Sequence, residues 1–117
     1  MLKVVILTRR RPDLSRAEFD RYVRQTHLPL VARLPGLRRL VANSVQPDPT
    51  GASPEWDMVG EDWFDSAEAW QRALASPAGQ AVIADSANFA DLAGSRFLLV
   101  EEEEIALPAE YAIDAAG

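Results

Sequence analysis

EWDMVGEDWF, residues 55–64, is the stretch on which the fold of this chain turns. In a β-strand successive side chains point to opposite faces. Asp57, Val59, Glu61 and Trp63 then share one face, and Trp56, Met58, Gly60, Asp62 and Phe64 the other. Each face mixes large apolar groups with acids, so neither is a clean solvent face, and the strand is predicted to be covered on both sides.

Three further runs read as strands around it. LKVVILT (2–8) is apolar and β-branched, LRRLVANSVQ (37–46) follows a Pro-Gly pair, and SRFLLVEEEE (95–104) ends in acids. PDPTGASP (47–54) is dense in turn formers and reads as a loop. Between the first two strands, Ser15 and Glu18 form a capping box that opens a helix. Phe19, Val23 and His27 then recur at i, i+4 and i+8 on its apolar face, with Tyr22 on the flank. Pro29 lacks an N–H and its ring clashes with the Gln25 carbonyl, which predicts a kink near His27; Pro35-Gly36 ends the segment. After the third strand, Asp65 with Glu68 gives a second capping signal. Ser76-Pro77 opens one more helix, predicted to run to about Phe89 with Val82, Ile83, Ser86 and Phe89 or Ala90 inward.

The order β-α-β-β-α-(α)-β predicts an α+β, ferredoxin-like domain over residues 1–104, a four-stranded antiparallel sheet with helices on one face. The face without helices, together with the two-sided third strand, predicts a homodimer in which a second subunit supplies the cover. Residues 105–117 form an Ala-rich tail, a candidate contact to that partner.

Composition narrows the functional classes. With 117 residues the chain fits one domain, and its 48% hydrophobic and 26% charged residues are those of a soluble globular protein. There are no cysteines, which removes disulfides, zinc-thiolate sites and a cysteine nucleophile. The apolar run at 4–7 is too short for a signal segment or a membrane span, so a cytoplasmic protein without membrane contact is expected. Ten of the twelve basic residues lie in residues 1–39 with only three acids, a local charge of +7 against −13 in the remainder. That overall acidity opposes phosphate binding, and no nucleic-acid partner is predicted.

His27, the only histidine, is the strongest chemical candidate, because imidazole exchanges protons near neutrality. The alternative is a core histidine bonded to a backbone carbonyl such as that of Gln25. Asp57 and Glu61 share a strand face but stand roughly 13 Å apart at ~3.3 Å per residue, too far for a close carboxylate pair. Each is a candidate to orient His27 or to act as a second acid or base, and each is equally a candidate for an ion pair with the basic first third. One histidine without cysteine leaves no convincing metal site, and no glycine-rich loop implies a nucleotide, so no metal or cofactor is expected. Trp63 and the neighbouring aromatics read as core or as the wall of an apolar pocket.

F-x-x-Y-x-x-x-x-H-x-P-L followed by P-G (Phe19, Tyr22, His27, Pro29, Leu30, Pro35, Gly36) resembles the EthD family. So does G-E-x-W-F-D-S (Gly60, Glu61, Trp63 to Ser66), preceded by Asp57 and followed by Ser76-Pro77. The resemblance implies a dimeric α/β barrel, two ferredoxin-like subunits packed sheet to sheet, with a pocket between sheet and helices. It also implies small enzymes without a bound cofactor, among them isomerases, cyclases and monooxygenases, in which a pocket histidine moves protons. His27 matches that histidine, whereas Leu40 stands where an aromatic residue is frequent. The expected function is therefore proton transfer on an apolar oxygenated small molecule (lactone, phenolic or polyketide-like), giving isomerisation, cyclisation or elimination. His27 is the expected base, Asp57 or Glu61 its orienting acid, and Phe19, Tyr22, Val23 and Trp63 the substrate contacts, with Tyr22 donating to the developing oxyanion. A cofactor-free monooxygenase and a non-catalytic accessory or ligand-binding dimer are the alternatives.

Overall fold

A computed structural model describes residues 1–110; the tail contact expected of residues 105–117 falls partly on 111–117, outside the described residues. Strand β1 is Leu2–Thr8. Helix α1 (Arg16–Tyr22) runs without a break through a π-helical turn, Val23–His27, into α2, Leu28–Val31. Then follow β2 (Arg39–Ser44), β3 (Met58–Phe64), α3 (Ala67–Ala75), α4 (Pro77–Ser86) and β4 (Arg96–Glu101). The sheet order is β2-β3-β1-β4 and every neighbouring pair is antiparallel, which is the ferredoxin-like arrangement. No helix among the described residues is long and apolar enough to cross a membrane.

The capping box forms as read: the Glu18 N–H donates to Ser15 Oγ at 3.1 Å, and the Ser15 N–H to Glu18 Oε1 at 3.0 Å. At Pro29 the helix widens where the sequence predicts a kink. The Leu28 N–H bonds back five residues to the Val23 carbonyl, which opens the turn over which the proline ring would otherwise clash. Gly36, at φ 81°, then reverses the chain. The second capping signal shifts by one residue. Ser66 caps α3 by accepting from the Ala69 N–H at 3.1 Å, while Asp65 pairs with Arg38 at 2.9 Å.

Alternation along β3 sorts the sheet. Met58, Gly60, Asp62 and Phe64 are buried under the helices, and through the register Val4, Ile6 and Leu40 lie on that same face. Val5, Leu7, Val41, Val59 and Leu98 share the opposite face with Glu61 and Trp63. Trp63 is covered there by the chain itself, with the Lys3 ammonium 5.2 Å and the Arg39 guanidinium 4.5 Å from its ring. Two buried clusters fill the layer between helices and sheet, one around Val4, Val31, Leu34 and Phe64, the other around Phe19, Val23, Met58 and Phe89.

Ser76 joins α3 to α4 with no intervening loop: it ends one helix, and its Oγ accepts from the Gly79 N–H at 3.1 Å to begin the next. A Cβ on Gly79 would stand 2.1 Å from the Ala73 carbonyl oxygen, backbone that cannot step aside. Gly79→Ala is therefore expected to destabilise the protein by about 1–3 kcal/mol, the usual range for overpacking. Urea denaturation checks this, and a variant as stable as the parent would mean that α3 and α4 are not held this closely.

Candidate functional site

The two clusters leave a cavity of about 510 Å³ between them, walled by members of both and reaching β4. That volume suits a small organic molecule. Its walls are mainly apolar, with Ile6, Trp70, Val82 and Phe89 among them, and exposed Leu92 and Phe97 at its β4 side. Ser86 Oγ donates to the Val82 carbonyl at 3.1 Å and Ser95 Oγ to the Asp91 carbonyl at 2.8 Å. Arg96 turns Nη1 onto the carbonyls of Ala93 and Ser95. Besides the Thr8 hydroxyl, the remaining polar side chains of the wall are His27 and Asp62.

His27 closes the π-helical turn and is 8% exposed, its ring tilted against Phe89 with centroids 4.3 Å apart. Nδ1 lies 3.0 Å from Oδ2 of Asp85, in the last turn of α4. The other carboxylate oxygen of Asp85 accepts from the Tyr22 hydroxyl and, at 3.1 Å, from Asn88 Nδ2. Burial alone would raise the Asp85 carboxyl, but the hydrogen bonds from Tyr22, Asn88 and His27 outweigh it and hold the group below its ordinary range. Burial also pushes the His27 imidazole down, only partly opposed by Asp85. At neutral pH the pair is thus a carboxylate and a neutral imidazole. Nδ1–H donates a hydrogen bond to the carboxylate, which leaves Nε2 as a lone-pair base.

The carboxylate bonded to His27 is that of Asp85; neither Asp57 nor Glu61 reaches it. Asp57 accepts from the Arg10 N–H at 2.9 Å and pairs with the side chains of Arg10 and Arg16, tying the β1–α1 connection to β3. Glu61 projects from the face of β3 away from the helices, where Lys3 Nζ lies 2.7 Å from it and Asn43 donates at 2.8 Å. The alternative partner for His27, the Gln25 carbonyl, is likewise replaced by Asp85. The four expected substrate contacts also fall elsewhere. None of Phe19, Tyr22, Val23 or Trp63 lines the cavity. Phe19 and Val23 are core beneath the helix, and Trp63 is on the far side of the sheet. The Tyr22 hydroxyl donates its hydrogen bond to Asp85.

Two residues of the site were passed over in the sequence. Asp85 follows Val82 by three positions on α4, so helical spacing places it beside the inward set. An anion in the last turn of a helix, against the macrodipole, also calls for partners. Asp62 lies on the inner face of β3 and is 4% exposed, flanked across the sheet by Val4 and Leu40. Its Oδ1 has no hydrogen-bond partner, and desolvation raises its pKa to about 6. Ionising it in this place costs the fold about 3 kcal/mol relative to a solvated aspartate, a cost absent below pH ~3.8 and complete above about 6.

Comparison with known proteins agrees with this architecture. An EthD domain profile matches residues 11–93. The chain is 35% identical over 92 residues to an uncharacterized 11.0 kDa protein in the thcB-thcC intergenic region of Rhodococcus erythropolis, covering 79% of this chain and 86% of that one. The crystal structure of an EthD family protein from Bacillus halodurans superposes with a TM-score of 0.76 at 28% identity, over 88% of this chain and 99% of the other. SnoaB, a cofactor-independent oxygenase from Streptomyces nogalater, superposes at 0.64 with 18% identity, over 89% and 94%, a likeness of fold alone. On the extent of the profile match and the identity to the Rhodococcus protein, this chain belongs to the EthD family.

Proposed function

We propose that this protein is a cofactor-independent acid/base catalyst acting on an apolar, oxygenated small molecule, a lactone, phenolic or polyketide-like compound. The observation that carries the reading is the 3.0 Å contact of His27 Nδ1 with Asp85 in the wall of an apolar cavity. A neutral imidazole held by one nitrogen presents the other as a base. Nε2 removes a proton next to a carbonyl, and the Asp85 carboxylate stabilises the imidazolium that forms. Return of the proton to another atom isomerises the substrate; attack by the carbanion closes a ring; loss of a neighbouring group completes an elimination. On a phenol Nε2 removes the O–H proton instead, and the phenolate that forms is the species O₂ oxidises; SnoaB, which shares the fold, is a cofactor-independent oxygenase. General-base catalysis of this kind contributes about 10²–10⁴-fold.

A substrate-independent assay is exchange of the acidic benzylic C–H of 2-tetralone, a neutral bicyclic ketone, with deuterium from solvent, followed by NMR. The wild type is expected to exceed the buffer rate, and His27→Gln to lose about 10²–10⁴-fold of that excess. The active form is the neutral imidazole, whose pKa lies below 6.5, so the rate rises as pH climbs through that pKa. Asp85 raises the imidazole pKa, so Asp85→Asn moves this limb to lower pH as well as slowing exchange. Exchange at the buffer rate, or exchange unchanged in His27→Gln, would contradict the reading.

We also propose that a second copy of the chain covers the open sheet face and makes the protein a homodimer. Support comes from Val5, Leu7, Val41, Val59 and Leu98, which form an apolar surface there with Leu98 53% exposed. Sedimentation equilibrium is expected to show a dimer for the wild type and a folded monomer for Leu98→Glu; a wild-type monomer at micromolar concentration excludes it.

A further inference from the structure

Among the described residues Asp62 Oδ1 is the one buried side-chain polar atom without a hydrogen-bond partner; it lies in the cavity wall, and the mechanism above does not use it. It sits mid-strand on β3, where a slip of one residue would carry it to the other face of the sheet, so its burial follows from the register itself. What faces it can be read element by element. From β1 come Val4 and Ile6, and from β2 Leu40. The helical layer adds Val31, Leu34, Trp70 and Val82. Among the described residues, the titratable or charged side chains that share the cavity with it are His27 and Arg96; Asp85 is bonded to His27, and Arg96 Nη1 is bonded to carbonyls. No salt bridge reaches Asp62, although ten other ion pairs occur among the described residues.

We propose that Asp62 acts in its protonated form as the hydrogen-bond donor of the cavity, holding the carbonyl or hydroxyl oxygen of a neutral ligand whose acidic C–H is presented to His27. A buried acid with no donor or cation aimed at it is most stable with its proton on, and a ligand that fills the cavity removes the remaining water. Asp62 and His27 then supply a donor and an acceptor, which match the two ends of a ketone or lactone about to enolise. As Nε2 takes the carbon proton, the Asp62 proton passes to the oxygen. This leaves enol, imidazolium and carboxylate, and reprotonation at carbon restores both side chains. The selectivity that results favours neutral oxygenated ligands over ammonium-bearing ones, which would need Asp62 ionised. This inference rests on the acid/base reading for its catalytic consequence, but its binding consequence stands apart from turnover.

The test therefore measures binding. Isothermal titration of the full chain with 2-tetralone between pH 5 and 8 is expected to show affinity falling at least tenfold as Asp62 loses its proton. Asp62→Asn, which keeps a donor at every pH, is expected to bind with affinity flat to within twofold. The His27 titration is common to both proteins, so the difference between them isolates Asp62. 2-Aminotetralin, a cation on the same skeleton, is expected to bind at least tenfold more weakly than 2-tetralone at pH 5, where Asp62 keeps its proton. A flat wild-type profile, a pH dependence retained in Asp62→Asn, tighter binding of the amine, or no binding of 2-tetralone at pH 5 up to millimolar concentration each overturns the proposal. A loss of exchange in His27→Gln with these binding results unmet would leave the base and remove only the donor.

Discussion

One carboxylate, that of Asp85, gathers the site. Three donors converge on it, from Tyr22 in α1, His27 in the π-helical turn and Asn88 just beyond α4. A carboxylate in the last turn of a helix works against the helix dipole by a few tenths to ~1 kcal/mol. Here the hydrogen bonds more than compensate, and they fix the imidazole as well. The ring is held by Asp85 at one nitrogen and by Phe89 at its face, so a side chain at a break in a helix has a single orientation. The cavity, bounded by α4 and the sheet, has His27 in its wall, and Nδ1 is the ring nitrogen that has a hydrogen-bond partner among the described residues.

The break itself has a local cause. Pro29 cannot donate, and in an α-helical turn its ring would meet the Gln25 carbonyl. Widening the preceding turn, rather than bending the helix, resolves both problems, and the Leu28-to-Val23 bond records it. An inserted π-turn changes which residues face inward beyond it. Val31 and Leu34 still reach the core after the turn, so the wider turn and the buried histidine belong to one arrangement.

Much of the fold was legible from local chemistry. The Ser15 capping box, the Ser76-Pro77 helix start and the alternation along Met58–Phe64 depend on neighbours in sequence, and the structure shows each. The Ser66 cap was displaced by one residue because Asp65 found Arg38, a partner 27 positions away. The site was less legible for the same reason. His27 and Asp85 are 58 residues apart, and only the antiparallel sheet with its shared helical layer brings them together. The acids of β3 could be sorted into faces by alternation, but not which face carried the helices. Asp57 and Glu61 drew attention while Asp62, between Glu61 and Trp63, lay on the inner side. Trp63 shows the same ambiguity, being buried by Lys3 and Arg39 on the outer face.

The chemistry follows from a cavity whose walls supply little besides apolar surface. In such surroundings each polar group weighs heavily, since a missing partner there is not replaced by water. In the proposed reaction a neutral base held by Asp85 and a proton-bearing acid on β3 make a donor–acceptor pair. The claim on which this depends is that His27 at neutral pH is uncharged, with its proton on Nδ1. Because the chain has a single histidine, ¹⁵N NMR of histidine-labelled protein reads that state without ambiguity. The account predicts a protonated Nδ1, a pyridine-like Nε2 at pH 7 and a titration midpoint below 6.5. A proton on Nε2, or a midpoint above 6.5, would contradict it.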